Sequence, residues 1–277
     1  MKFITSRDNP FFKQLIKLEK SARQRRMAGL TLLDGIHLID TYSLALGRPK
    51  NLIVSESERD NEEIKCLLAE QGSGTDTGVF VLSDVLFREV SPVKTPTGIL
   101  ALISIPSATA IPLPKRKEGE SFCVLLEAIQ DPGNLGSILR SAAAAGASDV
   151  YLSDGCADAW SPKTLRAAMG AHFLLRIHEQ SNLPTVAQAF RGKVIATLLK
   201  AETSLYQTQL TGPIAFVFGN EGVGLSKLVL QACSEQISIP MYGDTESLNA
   251  AAAAAVCFFE RVRQMRAAHD LLSLKFI

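Results

Sequence analysis

Short apolar runs alternate with segments of helical spacing in the first third of the chain. The apolar runs have the length and residue types of β-strands, and we expect strands at residues 30–33, 51–54, 79–82 and 99–104. Apolar residues spaced three and four apart predict helices at residues 9–20, 36–45, 61–70 and 84–90. This alternation indicates a small α/β unit that ends near residue 105.

A second alternation of strands and helices begins after residue 120. Its predicted strands are residues 122–128, 149–152, 173–177, 194–198, 214–218 and 236–239. Helical runs lie between them, including residues 135–145, and a last helix is predicted at about 247–268. Because the strands are apolar throughout and are separated by helices, they predict a mainly parallel sheet covered on both faces.

The stretch at residues 106–120 separates the two alternations. It carries three prolines and a basic triplet and has no apolar period, which is typical of a linker. The sequence therefore predicts two α/β domains, residues 1–105 and residues 121–277.

Composition limits the classes of protein to consider. A hydrophobic fraction of 47% and a charged fraction of 21% are typical of a soluble globular chain, and no apolar run approaches the roughly 20 residues of a membrane span. The N-terminus becomes polar at once, unlike a secretory signal, so we expect a cytoplasmic protein without a membrane partner. The five cysteines are scattered, and no Cys or His pair has zinc spacing, so we expect no bound metal.

Charge is unevenly distributed, although the net charge is only +1. Residues 1–30 hold eight lysines and arginines and only two acidic residues. Such a segment suits either a phosphate backbone or a solvated helix face, and charge alone leaves both interpretations open. The candidate nucleic-acid contacts in it are Arg7, Lys13, Arg23, Arg25 and Arg26.

Three polar loops follow strands of the predicted parallel sheet, at residues 131–137, 219–224 and 239–249. Ligands collect at the carboxyl ends of parallel strands, so these loops are candidates for a binding site. The glycine-rich loop at 219–224 lacks the spacing of both common nucleotide-phosphate motifs. Ser247 is the expected N-cap of the last helix. Taken alone, the third loop is better explained as an ordinary strand-to-helix turn than as a binding loop.

Three ordered motifs in these loops resemble those of a known family. They are Asn134-Leu-Gly-Ser-Ile-Leu-Arg140, Phe218-Gly-Asn-Glu-Gly-Val-Gly-Leu-Ser226, and Ile239-Pro-Met followed by Ser247-Leu-Asn249. They resemble the signature motifs of the SpoU (TrmH) branch of the SPOUT RNA 2'-O-ribose methyltransferases. The N-terminal runs 4–10, 33–35 and 95–100 resemble the L30e-like substrate-binding domain of many members. One departure is Asp34, where glutamate is usual, and another is the alanine run after Asn249.

The resemblance implies a C-terminal domain with a deep trefoil knot, S-adenosylmethionine as cofactor, and a homodimer. Carried over to this chain, the cofactor contacts are Thr197, Leu199, Gly219, Ile239 and Leu248. The implied catalytic residues are Arg140 at the nucleophile, with Asn134, Glu221, Ser247 and Asn249 orienting it or the ribose.

The implied reaction is an in-line displacement in which a ribose 2'-hydroxyl attacks the sulfonium methyl. A guanidinium stays protonated in proteins, so we expect Arg140 to stabilise the developing alkoxide or to hold the adjacent phosphate. The hydroxyl proton would pass to Glu221, to water or to the phosphate. We expect 23S rRNA as substrate. The alternatives are a tRNA 2'-O-methyltransferase, a non-catalytic RNA-binding protein and an α/β enzyme that acts on a small molecule.

Overall fold

The computed structural model of the chain describes residues 1–72, 77–111, 113 and 121–273, so most of the predicted linker at 106–120 lies outside the described residues. The chain forms two compact units. The N-terminal unit contains Met1–Ile111 and Trp160–Phe173, and the C-terminal unit contains Pro112–Ala159 and Leu174–Ile277. Across the described residues, no helix has both the length and the apolarity that crossing a bilayer requires.

The N-terminal unit is built around a mixed sheet of five strands in the order β1-β4-β3-β5-β2. The strands are β1 (Lys2–Ile4), β2 (Leu30–Asp34), β3 (Asn51–Ser55), β4 (Gly78–Leu82) and β5 (Ile99–Ser104). β5 is antiparallel to β2 and β3, whereas the other pairs are parallel. The helices along this part of the chain are α1 (Pro10–Lys20), α2 (Ala22–Ala28), α3 (Ile36–Leu46), α4 (Glu62–Gly72) and α5 (Asp84–Val90).

Helix α1 illustrates how the sequence sets these elements. Its N-cap is Asn9, whose side-chain oxygen accepts hydrogen bonds from the N–H groups of Phe11 (2.9 Å) and Phe12 (3.3 Å). Pro10 stands at the first helical position, where its missing N–H costs no hydrogen bond. The buried face of α1 joins the core of the unit together with strand residues such as Leu32 and Ile53.

The C-terminal unit contains a seven-stranded sheet in the order β10-β12-β9-β11-β6-β7-β8. Its strands are β6 (Phe122–Leu126), β7 (Asp149–Leu152), β8 (Arg176–His178), β9 (Lys193–Leu198), β10 (Thr203–Ser204), β11 (Ile214–Phe218) and β12 (Glu235–Ser238). All of these neighbouring strands pair in parallel. The predicted mainly parallel α/β fold is therefore confirmed, while the knotted path of the chain stays a prediction.

The helices in the second half of the chain lie between these strands in sequence or follow the last one. They are α6 (Pro132–Ala144), α7 (Pro162–Ala168), α8 (Leu183–Ala189), α9 (Lys227–Ala232) and α10 (Ala250–Ser273). Helix α7 belongs to the N-terminal unit, and α6 packs against α10 in the C-terminal unit.

Two differences from the sequence predictions concern residues 160–177. The run predicted as one strand at 173–177 begins as a 3-10 turn, Ala171–Phe173, and only Arg176–His178 is a strand. The apolar Phe173 is buried by packing edge-on against Tyr42 of the N-terminal unit, which gives it an apolar environment without a sheet. Residues 160–173 thus belong to the N-terminal unit, whereas the predicted division at 105–121 placed them with the C-terminal domain.

A buried carboxylate links β7 to the edge strand β8. The Asp149 carboxylate accepts hydrogen bonds from Nε (2.8 Å) and a terminal nitrogen (2.7 Å) of Arg176 and contacts Nε2 of His178 (3.0 Å). Burial raises the pKa of the Asp149 carboxyl, but the hydrogen bonds from Arg176 and His178 outweigh burial and hold its pKa below the ordinary 3.8.

We predict that Asp149→Asn lowers the free energy of unfolding by about 2 kcal/mol at pH 7, because charge-assisted hydrogen bonds are removed. A carboxyl with a lowered pKa stabilises the fold above its unfolded pKa and loses this effect as the pH falls. The difference between variant and parent should therefore shrink below about pH 4. Denaturant unfolding at several pH values measures this difference.

Asp8→Asn, which removes an exposed pair with Lys13, is the control and should leave stability unchanged. A deficit that does not change with pH would contradict the account.

A candidate site at the carboxyl edge of the parallel sheet

A cavity of about 360 Å³ lies beyond the carboxyl ends of β9, β11 and β12. Three chain segments form it: the end of β9, the loop after β11 and the loop between β12 and α10. The five residues predicted to contact a cofactor all line it: Thr197, Leu199, Gly219, Ile239 and Leu248. The structure thus brings them together, while their function stays a prediction.

The loop after β11 is held in a tight conformation by Asn220. Its side-chain oxygen accepts hydrogen bonds from the N–H groups of Gly222 (2.9 Å) and Val223 (3.1 Å). Its Nδ2 donates to the carbonyl oxygen of Ala128, in the loop after β6 (2.9 Å). A Cβ on Gly219 would lie 2.5 Å from the backbone of Gly224, so the two ends of this loop can approach only because position 219 has no side chain.

Two side-chain hydrogen bonds connect the three polar loops. Nδ2 of Asn134 donates to Oε1 of Glu221 (2.7 Å), and Oδ1 of Asn134 accepts from Nδ2 of Asn249 (2.8 Å). Glu221 and Asn249 line the cavity, so the Asn134 amide lies directly beside it. We call Asn134, Glu221 and Asn249 the amide network.

The start of α10 corrects one sequence expectation. Oδ1 of Asn249 accepts hydrogen bonds from the N–H groups of Ala251 (2.9 Å) and Ala252 (3.3 Å), so Asn249 is the N-cap. Ser247, the predicted cap, lies two residues earlier and lines the cavity. The helix begins later than predicted, and Ser247 is an exposed residue outside it.

Arg140 lies on the exposed side of α6. Among the described residues, it has no hydrogen bond or ion pair with Asn134, Glu221, Ser247 or Asn249, and it does not line the cavity. The structure therefore brings together four of the five predicted catalytic residues and leaves Arg140 outside that group. Its predicted action on the nucleophile requires an RNA phosphate or hydroxyl that comes to it.

Sequence reasoning did not assign a structural role to the loop after β6. Oε2 of Glu127 accepts from the N–H of Ser226 (2.8 Å), and Ala128 has a positive φ of 54°. A left-handed alanine carries strain, which the contacts of its N–H and carbonyl groups with Ser153 and Asn220 hold in place. An amide within a glycine-rich loop, such as Asn220, is a sequence signal for a side-chain contact with a neighbouring loop. The positive φ of Ala128 has no such signal in the sequence.

The predicted RNA contacts have different environments in the N-terminal unit. Nε of Arg7 lies 2.9 Å from Oε1 of Glu89, and Nζ of Lys13 lies 2.8 Å from Oδ1 of Asp8; all four side chains are at least partly exposed. Arg7 and Lys13 thus reach solvent but already have acidic partners.

The remaining three arginines lie on helix α2 and differ in exposure. Arg23 and Arg26 are exposed. Arg25 is only 4% exposed, and its guanidinium donates to the carbonyl oxygens of Leu18 and Glu19 (2.9 Å for Glu19) near the end of α1. The expectation that Arg25 contacts RNA is therefore corrected, because its donors complete the end of α1 instead.

Among the described residues, no group of three or more His, Cys, Asp or Glu side chains is placed to hold a metal ion. The C-terminal unit is therefore an α/β domain with a mostly apolar cavity at the carboxyl edge of its parallel sheet. This is the position at which such sheets commonly bind ligands.

Comparison with known proteins gives a specific family. The SpoU rRNA Methylase family matches residues 121–259, and the MRM3-like substrate binding domain matches residues 9–101. The chain is 33% identical to an uncharacterized tRNA/rRNA methyltransferase of Synechocystis, over 96% of this chain and 95% of that protein. It is also 33% identical to the 23S rRNA (guanosine(2553)-2'-O)-methyltransferase RlmP of Bacillus subtilis, over 94% of this chain and 98% of that protein.

Comparison with solved structures also finds SpoU methyltransferases. The crystal structure of the SpoU methyltransferase AviRb from Streptomyces viridochromogenes, in complex with AdoMet, matches with a TM-score of 0.79. The two chains are 26% identical, over 94% of this chain and 100% of AviRb. The chain belongs to the SpoU rRNA methylase family, and the family predicted from the three motifs is confirmed.

We predict that Gly219→Ala destabilises the protein by about 1–3 kcal/mol, because the new Cβ would overlap the backbone of Gly224. Gly222→Ala is the matched control in the same loop, since its Cβ would meet only Oδ1 of Asn220, at 3.4 Å. It should change stability by less than about 0.5 kcal/mol. Thermal and denaturant unfolding measure both. Equal stability of the two variants would contradict the described loop.

Proposed function

We propose that this chain transfers a methyl group from S-adenosylmethionine to a ribose 2'-hydroxyl of 23S rRNA. The observation that carries the proposal is the cavity lined by all five predicted cofactor residues, with the amide network directly beside it. Relatives support the choice of reactants: RlmP is by name a 23S rRNA guanosine 2'-O-methyltransferase, and AviRb was crystallised with AdoMet.

The cavity fits such a cofactor in size and chemistry. A volume of about 360 Å³ lies within the range of small-molecule sites. Leu198, Phe218 and Ile239 supply apolar walls, and Gly219 allows the ligand to approach the backbone closely. A bound S-adenosylmethionine supplies a methyl group already activated by the sulfonium charge, so the protein's task is to align the ribose and assist loss of its proton.

The amide network suggests which group takes that proton. Oε1 of Glu221 accepts a hydrogen bond from Asn134, which fixes the carboxylate at the cavity and leaves Oε2 with no hydrogen bond among the described residues. Oε2 of Glu221 is therefore the proton acceptor in this proposal, and Ser247 and Asn249 orient the ribose. Arg140 remains charged and stabilises the alkoxide or holds the phosphate beside it.

The proposal also covers RNA binding, cellular location and oligomeric state. The N-terminal unit would hold the RNA through exposed basic groups, since phosphate contacts position a substrate without reading its sequence. The enzyme would act in the cytoplasm as a homodimer. A tRNA substrate is the alternative, and the methylated RNA itself distinguishes the two.

We predict that Arg140→Ala lowers the single-turnover rate of methyl transfer to 23S rRNA at least about a hundredfold, the usual effect of removing a group that stabilises a developing oxyanion. Affinity for S-adenosylmethionine, measured by calorimetry, should change less than about twofold, because Arg140 does not line the cavity.

Ser137→Ala is the control, because it alters another exposed side chain of α6. It should leave both quantities unchanged. Near-normal transfer by Arg140→Ala would remove Arg140 from the chemistry, and weakened cofactor affinity with an unchanged rate would place it at the cofactor instead.

We predict that replacing Arg23 and Arg26 with alanine weakens RNA binding, because each exposed guanidinium can neutralise a phosphate. The slope of log affinity against log salt should become shallower by about 1 for each phosphate that the variant no longer neutralises. Filter binding of in vitro transcribed 23S rRNA at several salt concentrations measures this slope. Arg48→Ala removes another exposed arginine of the N-terminal unit, outside the basic segment, and serves as control. An equal change in the control would mean that the basic segment has no special role.

A further inference from the structure

Residues 160–173 lie in the middle of the sequence matched by the methylase family, yet they pack as part of the N-terminal unit. The chain belongs to the C-terminal unit up to Ala159 and again from Leu174. The chain therefore passes from one unit to the other within the region matched by the methylase family, and not only at the predicted linker. We call residues 160–173 the docked segment.

The ion pair of the docked segment is made with Asp34, at the end of β2. The Asp34 side chain is 1% exposed, and its Oδ2 pairs with Arg166 of α7 at 2.5 Å. Its Oδ1 accepts from the hydroxyl of Thr97 (2.7 Å). A carboxylate removed from water needs such partners. The Arg166 guanidinium supplies the positive charge that pairs with the buried Asp34 carboxylate.

Further contacts follow along the docked segment. The buried hydroxyl of Thr31, on β2, donates to the carbonyl oxygen of Trp160 (2.6 Å). At Gly170, where φ is +87°, a Cβ would lie 2.7 Å from Cγ2 of Thr41. β2 and α3 thus contact this segment at several positions between Trp160 and Phe173, and the contact is more than one ion pair.

Two of the three N-terminal runs that resemble the substrate-binding domain, 33–35 and 95–100, meet at this contact. Leu33-Asp-Gly35 supplies the carboxylate, and Thr95-Pro-Thr-Gly-Ile-Leu100 supplies the Thr97 hydroxyl that orients it. Neither motif contributes a residue to the cavity of the C-terminal unit. Their shared partner is the docked segment.

We propose that Asp34 and Arg166 are positioning residues that hold the docked segment in the N-terminal unit, so that RNA bound there is presented to the methyl donor. This inference rests on the proposed function. The docked segment is joined to the C-terminal unit at both of its ends, so its attachment adds two chain connections to the one through the linker. More connections restrict the bound RNA to a smaller volume and raise its effective concentration at the site.

The test compares two ion pairs of the same kind in the full-length protein. Arg166→Met removes the partner of Asp34, and Arg176→Met removes the partner of Asp149. Both arginines are similarly exposed, at 43% and 41%, and both carboxylates are buried. Asp34→Asn is a second variant of the proposed contact, which keeps the side-chain shape and removes its charge.

Single-turnover methyl transfer to in vitro transcribed 23S rRNA, at saturating enzyme, is the main measurement. We expect Arg166→Met and Asp34→Asn to lower this rate about tenfold, with affinities for RNA and S-adenosylmethionine changed less than about twofold. Amide exchange should become faster in residues 160–173. Arg176→Met should leave the rate and this exchange unchanged.

The alternatives give different results. An equal loss of rate in Arg166→Met and Arg176→Met would overturn the proposal, because general destabilisation would explain both. Faster exchange with an unchanged rate would also overturn it, since the segment would be held without any effect on transfer. If the parent protein transfers no methyl group, the proposed function itself fails. Faster amide exchange in Arg166→Met but not in Arg176→Met would then support only the attachment of residues 160–173, and the claim that this attachment promotes methyl transfer would be lost.

Discussion

The amide of Asn134 is the interaction on which the candidate site depends. A parallel sheet brings the loops at its carboxyl edge near one another, but no ladder of backbone hydrogen bonds continues beyond the strands. Asn134 supplies a donor to Glu221 and an acceptor to Asn249, which its amide can do at once because the NH₂ group donates and the carbonyl oxygen accepts. Because Asn249 also caps α10, the position of the network is tied to a 24-residue helix.

Much of the fold follows from local sequence patterns. The strands at 99–104, 149–152 and 214–218 and the helix at 84–90 have the predicted bounds, since turn residues or charges interrupt their apolar runs on both sides. The strand Lys2–Ile4 was not predicted, because three residues are too few to show a period, and its pairing with β4 is a long-range contact.

The site residues show the same division between local and long-range information. The three ordered motifs identified the cavity-lining residues, but they did not distinguish Ser247 from Asn249 as the helix cap, because either side chain suits an N-cap. Charge grouped Arg25 with Arg23 and Arg26, although its side chain is buried against the end of α1. Residues 160–173 pack in the N-terminal unit through contacts with Thr31 and Asp34, more than 120 residues earlier in the chain, so no local pattern reveals this packing.

The central claim is that this chain methylates a ribose of 23S rRNA. Incubation of the purified protein with labelled S-adenosylmethionine and total RNA, followed by mapping of modified nucleotides, tests it most directly. The account predicts label in 23S rRNA at a nucleotide that resists alkaline cleavage, because a 2'-O-methyl group blocks attack by the ribose hydroxyl. Label confined to tRNA, label on a base, or no transfer would contradict it.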